Sequence, residues 1–551
     1  MSSSYGNRSL EEPTYNSSAC DNVQEQDLLG VPHVDNSDAA LDHPATRRIS
    51  TPARSLTYLN GLALVVGLQI GAGIFSAPSV VRAHVSSPTI ALFVWLLAGV
   101  LVWTGASSFI ELGTRVPRNG GIQEYLRHCY GELYGFLFAW VWLLVSRPCA
   151  MAMVAFIFSE YIFKALLPDQ DVSNWALKVT AILAILLMTY LNCMGTKSGT
   201  GAASFFLILK VVGLGSIAII GFAFVATGLT HQDGNNQADT ADYGLFDPPP
   251  PAESSLAYSW FWMSLGGFTD AVLAALFAYA GWESISFVIG EMEEPHSTLP
   301  RVLNNSMALV ITLFLASNFA LYTILSLKTL QETNAIALAF GSRTLGRAGA
   351  LFYAWIVCLS CLGALNAIVF SSGRLTQAAG ARRYLPSFFK TATHDISHDQ
   401  RSNRNRGGTK ALFRRTCPSI NHGENQNVPI NAMMLNATVG AVYVLTGSFR
   451  GLLSFKGMVE YVIYFITVFG LLLVRFRPSP QNDEALSGIY ITPIFNPLIF
   501  CFVAALIVLR SAISHWLQAT AALLVFGLGS LLYYSSWWEK LVSPAMTVET
   551  G

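Results

Sequence analysis

Stretches of roughly twenty apolar residues, almost free of charge, recur along this chain between short polar loops. That is the length an α-helix needs to cross about 30 Å of hydrocarbon. Twelve spans are predicted, at 58–82, 88–113, 133–164, 174–193, 200–227, 267–291, 303–327, 348–373, 429–447, 456–476, 490–513 and 517–537. The pattern predicts an all-α integral membrane protein whose twelve transmembrane helices fill residues 56–540, and an even number of crossings puts both termini on one side. Residues 1–55, rich in Ser, Asn, Asp and Glu, cannot bury enough surface to offset ordering entropy, so a disordered tail is expected there. The same holds for loop 391–427, and residues 541–551 form a C-terminal tail. The N-terminal tail lacks the apolar core of a signal peptide, so the first span is expected to direct insertion.

Composition agrees with the pattern: 551 residues, 52% hydrophobic, 12% charged and a mean hydropathy of +0.46, against roughly 25% charged in soluble domains. Thirty-three basic side chains balance 33 acidic ones, which offers a nucleic acid no electrostatic footprint. Charge placement is more informative. The loop between spans eight and nine carries Arg374, Arg382, Arg383, Lys390, Arg401, Arg404, Arg406, Lys410, Arg414 and Arg415, whereas Gly228 to Gly267 holds neither Lys nor Arg. Basic loops stay cytoplasmic, so both termini are expected on the cytoplasmic side, in a plasma-membrane protein. This makes glycosylation at the Asn7 and Asn16 sequons improbable, and Arg47-Arg48-Ile49-Ser50 is a weak kinase-type string. Most of the eight cysteines fall in or beside apolar spans, which argues against a disulfide framework, and Cys358-x-x-Cys361 has no second pair to complete a metal site.

Two spans are irregular. The first reads LALVVGLQIGAGIFSAPSVV, with Gly67, Gly71 and Gly73 in its middle. Glycines four apart allow close helix packing, but a cluster of them also permits a break at mid-membrane, where bare N–H groups suit a carboxylate. The sixth span, AVLAALFAYAGWESISFVIGEMEEP, sets Gly281 between aromatics and Glu283 in an apolar run, where an ionisable group is costly and therefore a functional candidate. Two broken helices at matching places suggest inverted five-helix repeats, about 58–227 and 267–476, with two extra helices at about 490–537.

These residues resemble the amino acid-polyamine-organocation superfamily and, within it, the L-type amino acid transporters and the fungal methionine-type permeases. Gly71–Phe75 (GAGIF) is similar to the family's GSGIF. Glu111-Leu112-Gly113, Pro117, Gly120-Gly121 and Glu124-Tyr125-Leu126 follow its ELG...P..GG..EYL string, and Arg147-Pro148 matches an Arg-Pro pair in the third span. Phe277–Trp282 (FAYAGW) with Glu291, Pro295, Leu299 and Pro300 resembles FAYGGW...E...P...LP, and Phe370-Ser371-Ser372 with Arg374 is similar to the end of its eighth span.

The resemblance implies a LeuT-like fold with helices 1 and 6 broken. It implies that a substrate carboxylate meets the N–H groups of Gly71, Ala72 and Gly73, while the ammonium meets carbonyls of Gln69 or Ile70, Phe277 and Ala280, beside Gly281. Ala72 stands where the family has Ser, so a hydroxyl contact is lost, and Phe277 is expected to act as an aromatic gate. With the tenth span read as 456–476, Lys210 is the one lysine deep within a span. By resemblance it takes the place of a sodium ion, bonded near Gly71 and Ser371 or Ser372, and a proton-linked version of that site is also open. Glu283 replaces the usual Asn or Asp; it either carries a proton, pairs with a basic substrate or caps a half-helix. The loop ALLPDQDVSNWA lacks the cysteine that bonds a heavy-chain glycoprotein in mammalian relatives, so no covalent partner is expected.

The expected function is sodium-independent secondary transport of L-amino acids by alternating access, with large neutral substrates such as methionine or leucine. A cationic amino acid or polyamine permease and a non-transporting nutrient receptor are the alternatives. No phosphate loop, nucleophile–base pair or metal spacing occurs, so neither enzyme chemistry nor a cofactor is expected. Exchange and proton symport are both open.

Overall fold

A computed structural model describes residues 56–167, 170, 172–193, 196–227, 257–333, 335–385, 430–476 and 490–535. The expected tails and the loop 391–427 lie outside the described residues, as do Arg47–Ser50, both sequons, Cys20 and Cys417.

Sixteen α-helices occur among the described residues. In chain order they are α1 Tyr58–Gln69, α2 Ala77–Ala83, α3 Pro88–Arg115, α4 Ile122–Tyr130, α5 Glu132–Val141, α6 Arg147–Leu166, α7 Asn174–Cys193 and α8 Thr196–Thr227. They continue as α9 Ala257–Ala278, α10 Pro295–Ile324, α11 Leu327–Glu332, α12 Ile336–Ala381, α13 Ile430–Thr446, α14 Phe449–Phe476, α15 Phe495–Ser514 and α16 Trp516–Tyr534. Eleven segments among the described residues are long and apolar enough to cross a membrane. The expected ninth span is present as α13, which at 17 residues is shorter than the usual crossing length of about twenty. Outward-facing Ile219, Phe502, Leu523 and Leu531 are largely exposed, which suits a surface covered by lipid rather than water.

Local chemistry explains several element boundaries. Pro88 and Pro295 occupy the first turns of α3 and α10, where a missing N–H costs nothing, and the Ser87 hydroxyl accepts from Ile90 N at 3.2 Å. α4 is amphipathic and buries Ile122, Tyr125 and Leu126. Its Glu124 accepts two bonds from Arg382 at the end of α12, 2.8 and 2.6 Å long, so α12 runs past the expected end of span eight and carries Arg374 inside it. The third span is one continuous segment in which a π turn, Trp142–Ser146, joins α5 to α6. Pro148 has no N–H to satisfy Leu144 O, and the Tyr443 hydroxyl of α13 donates to that carbonyl at 3.2 Å.

α3 packs on α10, α10 on α8, α6 on α12 and α14 on α15. The ELG string has a structural explanation at this level. Glu111 is fully buried and accepts from Arg115 Nη2 at 2.8 Å, Arg475 Nε at 2.9 Å and Thr492 N at 2.9 Å, and it also accepts from Arg475 Nη2. One carboxylate thus ties α3 to the end of α14 and to the segment before α15. Removing it leaves two arginines without their shared anion, so Glu111→Ala should cost about 3–5 kcal/mol of stability. Unfolding followed in detergent should show a clearly lower midpoint, while Arg115→Ala, which leaves the Arg475 bonds in place, should shift it far less.

Candidate functional site

The two irregular spans are interrupted, and they cross. α1 stops at Gln69, residues 70–72 are non-helical, and a single 3₁₀ turn, Gly73–Phe75, leads into α2. α9 stops at Ala278, and Tyr279–Gly281 form a turn before a 3₁₀ stretch, Trp282–Glu291. Two glycines make the crossing possible. Gly281 has φ +108°, and a Cβ on it would lie 3.0 Å from the Leu68 carbonyl carbon; a Cβ on Gly73 would lie 2.8 Å from Ala278 Cα. The Gln69 amide spans the gap, donating to Tyr279 O at 3.4 Å and to Met307 Sδ at 3.2 Å. Gly67 and Gly71 do not serve helix packing, since a Cβ on Gly67 would meet nothing within 4 Å and one on Gly71 only Leu68 O.

Breaking a helix in a membrane leaves backbone groups that must find partners. Gly71 N turns back to Gln69 O at 2.8 Å, so it no longer serves Gly67 O, and Lys210 Nζ from α8 donates to that freed carbonyl at 2.7 Å. This differs from the expected position of the ammonium near Gly71. The Ser371 hydroxyl donates to Ile368 O at 3.2 Å, and Ser372 Oγ is buried with no partner among the described residues. Ala72 N and Gly73 N also find no partner among the described residues. At the second break, Phe277 O accepts from Ala280 N at 3.2 Å, and Ala280 O meets no donor among the described residues.

A cavity of about 60 Å³ lies against this crossing, room for roughly four waters. Of the expected substrate-binding residues, Gln69, Gly71, Ala72, Gly73, Phe277, Ala280, Gly281 and Glu283 line it. Ile70 does not and is part of the packed core, and Lys210, Ser371 and Ser372 also lie off the cavity wall. Both Glu283 oxygens are engaged, Oε2 by Gly281 N at 3.0 Å and Oε1 by Arg147 Nη2 at 3.4 Å. The carboxylate therefore caps the break and balances a buried arginine. Arg147 also donates to Ser284 Oγ at 3.3 Å, and its guanidinium lies 5.5 Å and 5.4 Å from the Trp142 and Phe287 ring centroids.

Four polar wall residues, Ser146, Arg147, Lys456 and Glu460, escaped the sequence reading as site residues. Arg147 appeared there only as part of a motif, and Ser146, brought to the wall by the π turn, gave no signal. Lys456 was hidden by a boundary, and Glu460, inside the expected tenth span, was passed over. The tenth span was expected to begin at 456, but α14 begins at Phe449, so Lys456 sits two turns inside it, and Lys210 is not the only deep lysine. Lys456 Nζ donates to Glu460 Oε2 at 2.5 Å, and Ser146 Oγ donates to Glu460 Oε1. An i, i+4 pair of opposite charges in a strongly apolar stretch was the available clue.

Among the described residues, backbone donors and a carbonyl without partners thus stand beside a cavity where two membrane helices break, an arrangement found in helical membrane transporters. Comparison with known proteins agrees. The amino acid permease family model matches residues 56–529. The chain is 27% identical to the mouse Asc-type amino acid transporter 1 over 430 residues, 77% of this chain and 71% of that one. It is 25% identical to the mouse b(0,+)-type amino acid transporter 1 over 515 residues, 92% and 93% of the two chains. With the human large neutral amino acids transporter small subunit 2 it shares 27% over 453 residues, 82% and 75%. The chain belongs to the amino acid permease family and is L-type amino acid transporter-like.

Removing the Glu283 carboxylate would leave Arg147 buried and unpaired. Glu283→Ala should therefore cost about 3–5 kcal/mol, and Glu283→Gln, which keeps an acceptor for Gly281 N, distinctly less. The order of unfolding midpoints in detergent, wild type above Gln above Ala, checks this.

Proposed function

We propose that this amino acid permease is a sodium-independent secondary carrier of neutral L-amino acids working by alternating access. The observation that carries the reading is the pairing of opposite backbone polarities across one cavity. Among the described residues, Ala72 and Gly73 present N–H groups without partners and Ala280 a carbonyl without a donor. A carboxylate and an ammonium on the same carbon satisfy both ends at once, and neither end depends on a side chain of the substrate. The charged walls of the cavity are balanced in pairs, Arg147 with Glu283 and Lys456 with Glu460, which favours a substrate without net charge. Phe277, on the same wall, is the gate in this reading.

Lys210 supports the sodium-independent part. A buried ammonium bonded to Gly67 O fills the role a coordinated cation would otherwise play at the end of α1. The two breaks belong, in this reading, to inverted repeats at about 58–227 and 267–476 that rock against each other around the cavity. The basic loop after span eight supports cytoplasmic termini, with a plasma-membrane location read alongside it. The loop at 165–176 contains no cysteine, which supports operation without a disulfide-linked heavy chain.

Purified protein in liposomes should accumulate labelled neutral amino acids equally with and without sodium and should support counterflow. A receptor would show binding without counterflow, and dependence on sodium would overturn the role given to Lys210. Lys210→Ala should reduce uptake at least about 10-fold with the protein still inserted, because the freed Gly67 carbonyl loses its partner and the break loses its shape.

A further inference from the structure

We propose that Lys456 and Glu460 form the side-chain subsite of the cavity and that it is built for a primary carboxamide, as in glutamine or asparagine. The proposal rests on the transport reading above and narrows its substrate class. Both residues are buried in α14 and both line the cavity that holds the head-group backbone atoms. Together with Phe277 they also line a second, smaller void that includes Leu273, Leu453 and Tyr461, so they stand between the head-group cavity and further space that a substrate side chain could use. Lys456 Nζ lies 5.7 Å from the Phe277 ring centroid, which links this subsite to the gate.

Structure alone gives the pair little reason to exist. Its two charges sit on one helix, one turn apart, so the ion pair itself joins no two elements; among the described residues the Ser146 hydroxyl is the one hydrogen-bond partner from another segment, beside the Phe277 ring. A buried pair of this kind is often no more stabilising than two apolar side chains of the same volume. In an apolar span, such a cost marks a site with a ligand.

The chemistry of the pair selects that ligand. An ammonium has three donors, and this one has a single hydrogen-bond acceptor, Glu460 Oε2. A carboxylate has about four lone-pair sites, and this one has two donors, Lys456 Nζ and Ser146 Oγ. The pair therefore still offers a donor and an acceptor side by side. A primary carboxamide answers both, its carbonyl to Lys456 and its NH₂ to Glu460, and being neutral it does not compete with either charge. A cationic side chain would draw Glu460 away from Lys456, an anionic one would draw Lys456 away from Glu460, and each would strand a buried charge. A thioether or a branched alkyl group would cover both groups and bond neither, and sites built around polar groups reject analogues that lack the matching atoms.

The test compares labelled L-glutamine with L-methionine, similar in length, in liposomes carrying the full chain, with asparagine, leucine, glutamate and lysine as competitors. Glutamine should exceed methionine in kcat/KM by about 10-fold or more, with asparagine the best competitor. The double variant Lys456→Met with Glu460→Gln, which removes both charges together, should bring the glutamine-to-methionine ratio to about one or below. If it does not fold, Ser146→Ala, which frees only one oxygen of Glu460, should lower the same ratio several-fold. A wild-type ratio at or below one overturns the subsite, as does an unchanged ratio in the variants. Equal loss for both substrates would overturn it too, by making Lys456 a head-group contact. Methionine or leucine transport without glutamine preference sinks the subsite alone; no transport of any amino acid sinks the carrier reading with it.

Discussion

Hydrocarbon does not hydrogen-bond, and this constraint governs the molecule. Peptide groups at mid-membrane must be paired inside the protein or face a cavity, and here two helices stop pairing at the point where they cross. Each loose end is handled separately. Gly71 N folds back on Gln69 O, Lys210 takes Gly67 O, the Gln69 amide reaches Tyr279 O and Glu283 caps Gly281 N. Among the groups left without a partner among the described residues are the N–H groups of Ala72 and Gly73 and the carbonyl of Ala280, and these three residues line the cavity.

The buried charges follow the same accounting. Arg147 and Glu283 meet between α6 and the second break, and Lys456 and Glu460 meet within α14, so the cavity wall holds two acid–base pairs. The π turn at Trp142–Ser146 is what allows one helix to serve both pairs, because it turns Ser146 towards Glu460 and Arg147 towards Glu283 in adjacent positions. Away from the cavity, Glu111 and Glu124 gather arginines from distant segments and hold the helix ends together. Glu111, Glu124 and Glu283 thus act as joints, between helices or at a break.

Much of the fold was legible before any coordinates because spans announce themselves by length and polarity, and the glycine clusters around Gly71 and Gly281 marked both interruptions. Span ends were less legible. A helix can extend through polar residues when its neighbours cover them, as α12 does through Arg374 and α14 does before Lys456. That shift of boundary concealed how deep Lys456 lies. Lys210 was expected deep within a span, and it is buried, but its acceptor was not foreseen, because the carbonyl that a broken helix frees depends on where its last N–H turns.

The amino-acid order alone determined that this is a membrane protein of many helices, that two of them fail in mid-span, and which family it resembles. Those properties are local, set by runs of apolar residues, by glycine and by motif spacing. Only the tertiary structure decided which freed backbone atoms stay unpaired and that Ser146, Arg147, Lys456 and Glu460 share one wall. Those outcomes depend on the rotation of one helix against another, and periodicity along a chain carries no record of that angle where a helix is apolar on every side.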